Sequence, residues 1–526
     1  MVRGLLAGTR SQHDFRYYQL KRKRTGNCEF TAAQGTPWAA FSIYFITLNC
    51  FADSRIASMV SGMKSVLPLL SLLLSSFASA QLKPNLVFII ADDLTFRDIG
   101  CYGGQAHTPN IDFLATEGML FERCFQASSM CSPTRHNIYT GLYPFNSGAY
   151  PNHTFAKLGT KSVVHYLQPL GYRVALSGKT HIKPQSVFPF EYSAKDNNPD
   201  MEAIDRLMGE SVANGNPFCL FACSNEPHGP WDKGDASIYP PEKVILPPYI
   251  VDTPEVREGF SAYLAEITYY DGQVGQILAL LEKHGLSGNT LVMVVSEQGN
   301  SMPFAKWTGY GNGLQSAMIV RWPGHVEPGS LTSALVEYTD VLPTFIDAAG
   351  GVPESSLDGE SLLPVLLGQS DRHRDYVFGQ VTTRGINNGS DAYPIRTVRD
   401  ENFRLIWNLM PETKYANAYT GSKTFKSMIA KADSGDGHAK ELVSRYQHRP
   451  EFELFDCLAD PLEMNSLAGN PEYASVIERL KGKLDAWMAG QGDAGIQTEL
   501  DAKYHMRNAQ SMSRAEVDAE WAKRKR

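Results

Sequence analysis

The stretch Cys131-Ser132-Pro133-Thr134-Arg135 combines a thiol, a helix-starting proline and a guanidinium within five residues. It follows an apolar, aromatic segment, residues 121–130, and leads into a run, 136–142, with the character of a helix's first turns. A cysteine at a helix start faces unpaired backbone N–H groups and the positive end of the helix dipole. That setting favours an anionic nucleophile or an anionic ligand. Arg135, one turn on, can reach the same anion as a planar donor that is always charged. Other polar residues follow apolar runs. Residues 85–90 end in Ala91-Asp92-Asp93. Adjacent carboxylates there are costly unless something positive holds them, and a divalent metal is the simplest partner. Residues 172–176 lead to Gly178-Lys179-Thr180-His181, where Lys179 and His181 alternate onto one side of an extended chain. Residues 218–222 lead to Glu226-Pro227-His228, and 290–295 to Ser296-Glu297-Gln298, with Lys306 shortly after.

The elements that must position these groups are buried parallel strands. Continuous apolar runs such as Asn85-Leu86-Val87-Phe88-Ile89-Ile90 suit strands covered on both faces. Open α/β sheets place their sites at the carboxyl edge of such strands. Helical spacing is expected over 111–117, 162–170 and 254–283, and a long irregular loop over 229–255. From about residue 376 the strands shorten (376–378, 395–399, 403–407), which predicts a small antiparallel sheet, followed by a helix over 471–488. The predicted fold class is α/β. A large, mostly parallel mixed sheet sandwiched by helices is joined by a smaller C-terminal α+β subdomain. The expected boundaries are 81–375 for the larger domain, 376–492 for the smaller, and 493–526 for a polar, exposed tail.

The bulk numbers narrow the function. A chain of 526 residues calls for more than one small core. A net charge of −7 argues against general nucleic-acid binding, so an anionic substrate needs a local basic cluster. Residues 1–62 are basic and irregular and read as a mis-extended start. Met63-Lys64-Ser65, an apolar run over 66–77 and Ala78-Ser79-Ala80 then follow in the order of a signal peptide cleaved after Ala80. Export to the periplasm or the exterior is the expected address. No later stretch is long and apolar enough for a membrane span. Cys101, Cys124, Cys131, Cys219, Cys223 and Cys457 do not make a disulfide framework, and Cys219 and Cys223 sit in an apolar run that favours buried thiols. Asn152-His153-Thr154 and Asn388-Gly389-Ser390 are glycosylation sequons if the host glycosylates.

CSPTR followed by HNIYTGLYP resembles the signature of the type I sulfatases, within the alkaline phosphatase superfamily. The resemblance runs through most of the chain after residue 83. The Asp-Asp pair after the first strand, His107-Thr108-Pro109-Asn110-Ile111-Asp112, the G-K-x-H of 178–181, the P-H-x-P of 227–230, the D-x-x-P-T of 340–344 and the closing E-L-Y-D…D-P-x-E pattern of 453–463 are all similar to family segments. What this implies is a sulfuric ester hydrolase whose cysteine, Cys131, is oxidised to formylglycine by a formylglycine-generating enzyme. The hydrated aldehyde would be the nucleophile. Asp92, Asp93, Glu297 and Gln298, with residue 131, would hold one divalent cation, Ca²⁺ by their oxygen donors. His228 with Lys306 would protonate the leaving group, His181 would act as base, and Lys179 and Arg135 would hold the nucleophile and neutralise charge. Most sulfatases carry Asp and Asn or His where this chain has Glu297 and Gln298. Both exchanges keep the donor type and add one methylene.

The implied substrate is a sulfated carbohydrate, as ester or sulfamate. The loops 144–160, 185–200, 229–255 and 380–425 are expected around it, with Tyr150, Trp231, Arg384, Arg396 and Trp407 as candidate sugar contacts. Two alternatives stay open. One is a phosphate or phosphonate monoester hydrolase of the same superfamily. The other is a sugar-binding protein whose site has decayed.

Overall fold

The run Leu86–Ala91 shows why the centre of the molecule is a sheet buried on both sides. Val87, Ile89 and Ala91 join one core cluster, and Leu86, Phe88 and Ile90 the other. Successive side chains of a strand point to opposite faces, so only an element covered twice can be apolar at every position. This is a computed structural model that describes residues 83–524. The segment read as leader and signal peptide lies outside the described residues.

Thirteen strands are described: β1 (Asn85–Ala91), β2 (Met119–Phe125), β3 (Arg173–Gly178), β4 (Glu191–Ser193), β5 (Phe218–Cys223), β6 (Thr290–Ser296), β7 (Gln315–Arg321), β8 (Ser330–Thr332), β9 (Val336–Glu337), β10 (Val377–Val381), β11 (Ile395–Arg399), β12 (Phe403–Asn408) and β13 (Phe452–Asp456). Nine build one sheet in the order β4-β3-β5-β1-β6-β7-β2-β8, with β9 also paired to β2. The pairs from β4 through β6 are parallel; β7 runs antiparallel to both β6 and β2. The 30-residue helix Pro254–Lys283 covers one face with Val256, Phe260, Leu264, Ile267 and Val274. The helix Val341–Ala348 and the segment Val163–Leu167 cover the other. Strands β10 to β13 form a separate antiparallel sheet. The helix Ala474–Gly490 packs on it through Leu480, Leu484 and Trp487. The expected α/β class, with its second antiparallel sheet, is what the chain adopts.

One expectation is corrected. Residues after Asp493 are not an exposed appendage. Asp493 pairs with the buried Arg396, and the buried Glu499 carboxylate accepts from the backbone N–H of Thr383 and Arg384. Thr154 bridges to Met506, and the Arg384 guanidinium lies over the Trp521 ring. Asp493 and Glu499 satisfy buried polar groups of the main body, while others such as Asn508 and Gln510 face solvent, a division that composition does not reveal.

Asp98, just past the end of β1, illustrates the cost of this burial. Burial pushes its carboxyl up to about 7, against the Tyr263 hydroxyl that donates to it at 3.0 Å and the nearby Arg97 charge. A carboxyl raised in the folded state weakens folding as pH climbs from its unfolded value toward its folded one, by about 1.4 kcal/mol per unit at most. Asp98→Asn removes that penalty. It is expected to stabilise the protein by about 2 kcal/mol or more at pH ~8 and by little at pH ~4, read from urea midpoints at the two pH values.

Candidate active site

Four neighbouring parallel strands end at one level. The β1 end is fixed by Asp92 N–H donating to the Glu226 carbonyl at 3.0 Å, and the β6 end by Glu297 N–H donating to the Ala91 carbonyl at 3.0 Å. Lys179 N–H donates to the Cys223 carbonyl at 2.9 Å, which ties the β3 end to β5. Gly178 precedes it at φ 103, where a Cβ would collide with that carbonyl, so glycine is required for the approach. This common edge sets Asp92, Asp93, Lys179, His181, His228, Glu297 and Gln298 around one point.

The nucleophile candidate enters from below. Cys131 begins the helix Cys131–Thr140, all of whose residues are buried. Pro133 falls in the first turn, where a missing N–H costs nothing. The Ser132 hydroxyl donates to the His181 carbonyl at 2.9 Å, and the Thr134 hydroxyl to the Ser128 carbonyl at 2.6 Å. Arg135 passes under the site. Its Nη1 donates to the Lys179 carbonyl at 2.8 Å, its Nε lies 2.6 Å from Glu297, and its Nη2 lies 3.6 Å from Asp92.

Donor atoms of Asp92, Asp93 and Cys131 lie within 4.8 Å of one another. Gln298 Nε2 reaches Asp93 at 2.6 Å and Asp92 at 3.2 Å, and its Oε1 is buried without a hydrogen-bond partner. An amide rotated by half a turn would present that oxygen to the carboxylates' side, and the two orientations differ only in which atom is labelled N. Asp92, Asp93 and an amide whose oxygen is orphaned, with the Glu297 carboxylate beside them on Arg135, fit a hard divalent cation held by oxygens. Lysines attend the same carboxylates: Lys179 contacts Asp92, and Lys306 lies 2.6 Å from Asp93. Burial alone would raise the Asp92 carboxyl, but Lys179, His228, Arg135 and Lys306 hold it well below the usual range. Burial pushes Glu297 up, with Arg135 opposing and the Asp92 charge adding to the rise. Burial also pushes the Cys131 thiol up to about 12, despite Lys306.

His228 Nδ1 bonds the Gly229 carbonyl at 2.8 Å, and its Nε2 stands 3.8 Å from Asp93. His181 sits at φ 51, a left-handed conformation unusual for a side-chain-bearing residue. Its Nε2 meets Nδ1 of His153 at 2.8 Å, while its own Nδ1 is buried without a partner. Burial, Lys179 and His153 hold its pKa well below 6.5, so it is neutral at pH 7.

These residues open into a cavity of about 790 Å³. Cys131, Asp93, Lys179, His181, His228 and Lys306 line it; Asp92, Arg135, Glu297 and Gln298 lie beneath, fully buried. Each of the four expected loops contributes, through Asn152, Asn197, Gly229 and Tyr419 among others. The five candidate sugar contacts do not. Tyr150 is buried with its hydroxyl on the Thr498 carbonyl, Arg396 is buried against Asp493, and Arg384 is buried under Trp521. Trp231 donates to the Pro227 carbonyl, and Trp407 stacks on Phe452. These large and basic residues serve packing: Arg396 and Trp407 fall on β11 and β12, and the segments bearing Tyr150, Trp231 and Arg384 fold onto the body. Sequence reasoning missed His153 and Arg507. His153 stood inside a sequon, whose Asn152 is buried beside the cavity, and Arg507 lies in the tail read as exposed.

The comparisons agree with this architecture. The Sulfatase family model matches residues 84–352, and the model for the C-terminal part of N-sulphoglucosamine sulphohydrolase matches 299–421. An ulvan-active sulfatase of Formosa agariphila is 32% identical over 461 residues, spanning 85% of this chain and 88% of its own. Human N-sulphoglucosamine sulphohydrolase is 28% identical, spanning 77% and 89%. A structure solved with its substrate D-glucosamine-2-N,6-O-disulfate shares the fold at a TM-score of 0.60, with 20% identity over 78% of this chain and 99% of that one. So does a phosphonate monoester hydrolase from Silicibacter pomeroyi, at a TM-score of 0.58, 19% identity, and 78% and 96% coverage. With the family model covering about half of the chain and a relative above 30% identity along most of both lengths, this chain belongs to the sulfatase family, the sulfuric ester hydrolases.

Proposed function

We propose that this protein removes a sulfate group, as ester or sulfamate, from an extracellular or periplasmic carbohydrate. The observation that carries this reading is the convergence of Cys131 with Asp92 and Asp93 at the floor of a cavity walled by Lys179, Lys306, His181 and His228, with Gln298 against both aspartates and Glu297 held beside them by Arg135. Oxidised to formylglycine by a generating enzyme and hydrated, residue 131 supplies the nucleophilic oxygen that its poorly ionised thiol does not. Asp92, Asp93, Glu297 and Gln298, with residue 131, would hold a divalent cation, Ca²⁺ by donor type, which when bound supplies Lewis-acid stabilisation of a sulfate oxygen.

The other roles belong to the side chains. Lys179 and Lys306 bring positive charge to the mouth of the carboxylate cluster and offset the charge of an entering sulfate. His228 has its Nδ1 proton held by the Gly229 carbonyl, so Nε2 is the atom that delivers a proton to the leaving alcohol or amine. His181 is neutral, and in the tautomer whose Nε2–H donates to Nδ1 of His153 it keeps a lone pair on Nδ1 to act as the base. Arg135 fixes Glu297 and the Lys179 backbone, and with them the shape of the pocket floor.

The test is hydrolysis of sulfated mono- and disaccharides by protein matured with a formylglycine-generating enzyme and supplied with Ca²⁺. Release of sulfate, with a Cys131 peptide whose mass matches the aldehyde, is expected. Hydrolysis of phosphate or phosphonate monoesters in its place would move the chain to the superfamily's other chemistry, which shares this fold. Removing the cation with a chelator is expected to abolish turnover, and Ca²⁺ to restore it.

The paired lengthening at Glu297 and Gln298 yields a second expectation. Glu297→Asp pulls one ligand back while its neighbour stays long, and is expected to weaken Ca²⁺ binding by about 10-fold or more. Glu297→Asp combined with Gln298→Asn is expected to recover most of that loss. Titration of Ca²⁺ by calorimetry reads the coupling directly, and additive losses in the double variant would refute it.

A further inference from the structure

The cavity is charged in two layers. In the floor, Arg135, Lys179 and Lys306 are matched one for one by Asp92, Asp93 and Glu297 at ion-pair distance. At the wall the balance is absent. Lys183 and Arg507 both line the cavity and are exposed, and among the described residues neither side chain has an ion-pair or hydrogen-bond partner. Asp93 is the one carboxylate among the described lining residues, and Lys306 already occupies it. In a chain of net charge −7, two unmatched cations facing one cavity are a local excess.

The backbone that presents them is fixed, although they lie far apart in sequence. Three segments run side by side. The Ala156 N–H donates to the Lys183 carbonyl at 2.8 Å, and the Arg507 N–H to the His153 carbonyl at 2.7 Å. Thr154 bridges to Met506, and its hydroxyl donates to the His505 carbonyl at 2.7 Å. Behind them the Ser132 hydroxyl links this wall to the Cys131 helix, through the His181 carbonyl and the Thr154 N–H. The two cations are therefore held in register with the nucleophile's helix.

We infer that Arg507 and Lys183 form a second anion subsite, which takes a further sulfate or a carboxylate borne by the same saccharide whose sulfate is cleaved. This rests on the sulfatase reading above. With the proposed divalent cation the floor carries a net positive charge for the group being cleaved, and the wall cations face an anion that the described residues do not supply. Guanidinium suits this task, since its planar donors match both sulfate and carboxylate oxygens. The preferred substrate is then a polyanionic saccharide and not one with a single sulfate.

Binding is measured by calorimetry in the full-length Cys131→Ala background with Ca²⁺, so that turnover does not intrude. The probes are D-glucosamine 2-N,6-O-disulfate, its 6-O-monosulfate, and a monosulfated disaccharide that carries a uronate. Arg507→Ala is expected to weaken the dianionic probes about 10-fold more than the monosulfate, with Lys183→Ala acting in the same direction and Arg507→Lys recovering part of the loss. Added NaCl is expected to weaken the dianions more steeply in the parent than in Arg507→Ala. A selective loss for the disulfate alone assigns the subsite to sulfate, and one for the uronate alone to carboxylate. Equal losses on all probes, or none, overturn the subsite. Failure of the sulfatase reading would look different: the matured, unsubstituted protein would release sulfate from none of the probes.

Discussion

Cys131→Ala is expected to lower sulfate release by at least about 10⁴-fold, to the limit of detection, while leaving the fold intact. The size follows from where the residue sits. It is the one cysteine among the described residues that line the cavity, and in the proposed reaction the neighbouring groups act through what it offers them. In the proposed mechanism His228 and His181 would move protons for a reaction that no longer starts, so the losses should not add: Cys131→Ala combined with His228→Ala should be no slower than Cys131→Ala alone. The buried thiol pairs with no other cysteine, so its removal leaves a small gap and the urea midpoint should move little. Sulfate release and unfolding, measured on the same preparation, check both halves. Retained turnover in Cys131→Ala would move the site to another nucleophile or remove the covalent step.

The second large effect is on stability. Arg135→Ala is expected to cost about 3–5 kcal/mol, because it strands buried charge. Arg135 and Glu297 are both fully enclosed, with Nε 2.6 Å from the carboxylate and Nη2 at 3.2 Å. Burial already raises the Glu297 carboxyl against that guanidinium; without Arg135 it would have to take up a proton to remain inside. Arg135→Lys should fare little better, since one ammonium cannot span the contacts to Glu297, Asp92 and the Lys179 carbonyl. The discriminating variant is Arg135→Met with Glu297→Gln. Removing both charges at similar volume should be markedly less destabilising than Arg135→Ala, as read by urea midpoints. If the double variant is as unstable as the single, the loss comes from packing and not from the uncompensated carboxylate.

How much of this was legible in the sequence depended on the range of the signal. The strands behind the site were readable because their burial on two faces leaves an unbroken apolar run, as in β1 and β6, and the ends of those runs marked Asp92, Asp93, Glu297 and Gln298. The Pro254–Lys283 helix was readable from its spacing, with Pro254 at its first turn and Thr253 capping it. Contacts between segments far apart in sequence were not readable. Arg396 and Tyr150 have the chemistry of sugar binders, yet Asp493 and the Thr498 carbonyl claim them. His153 became visible only when the backbone brought it within 2.8 Å of His181, 28 residues away. The tail misled for a related reason. Two of its carboxylates, Asp493 and Glu499, answer polar groups buried elsewhere, and no local pattern distinguishes them from neighbours that face water.

The burial of the Cys131 helix also has a consequence in time. Every residue from Cys131 to Thr140 is enclosed in the finished protein, and the Thr154, Lys183 and Arg507 segments close over them. The maturation enzyme proposed for Cys131 would need this stretch accessible, and the finished domain encloses it. Residues 505–507 leave the ribosome long after residue 131, a delay on the order of tens of seconds at about 5–20 residues per second. Until they arrive the wall is incomplete. For the maturation proposed at Cys131, the late synthesis of one pocket-lining segment thus leaves the wall unbuilt while the stretch around residue 131 is already outside the ribosome.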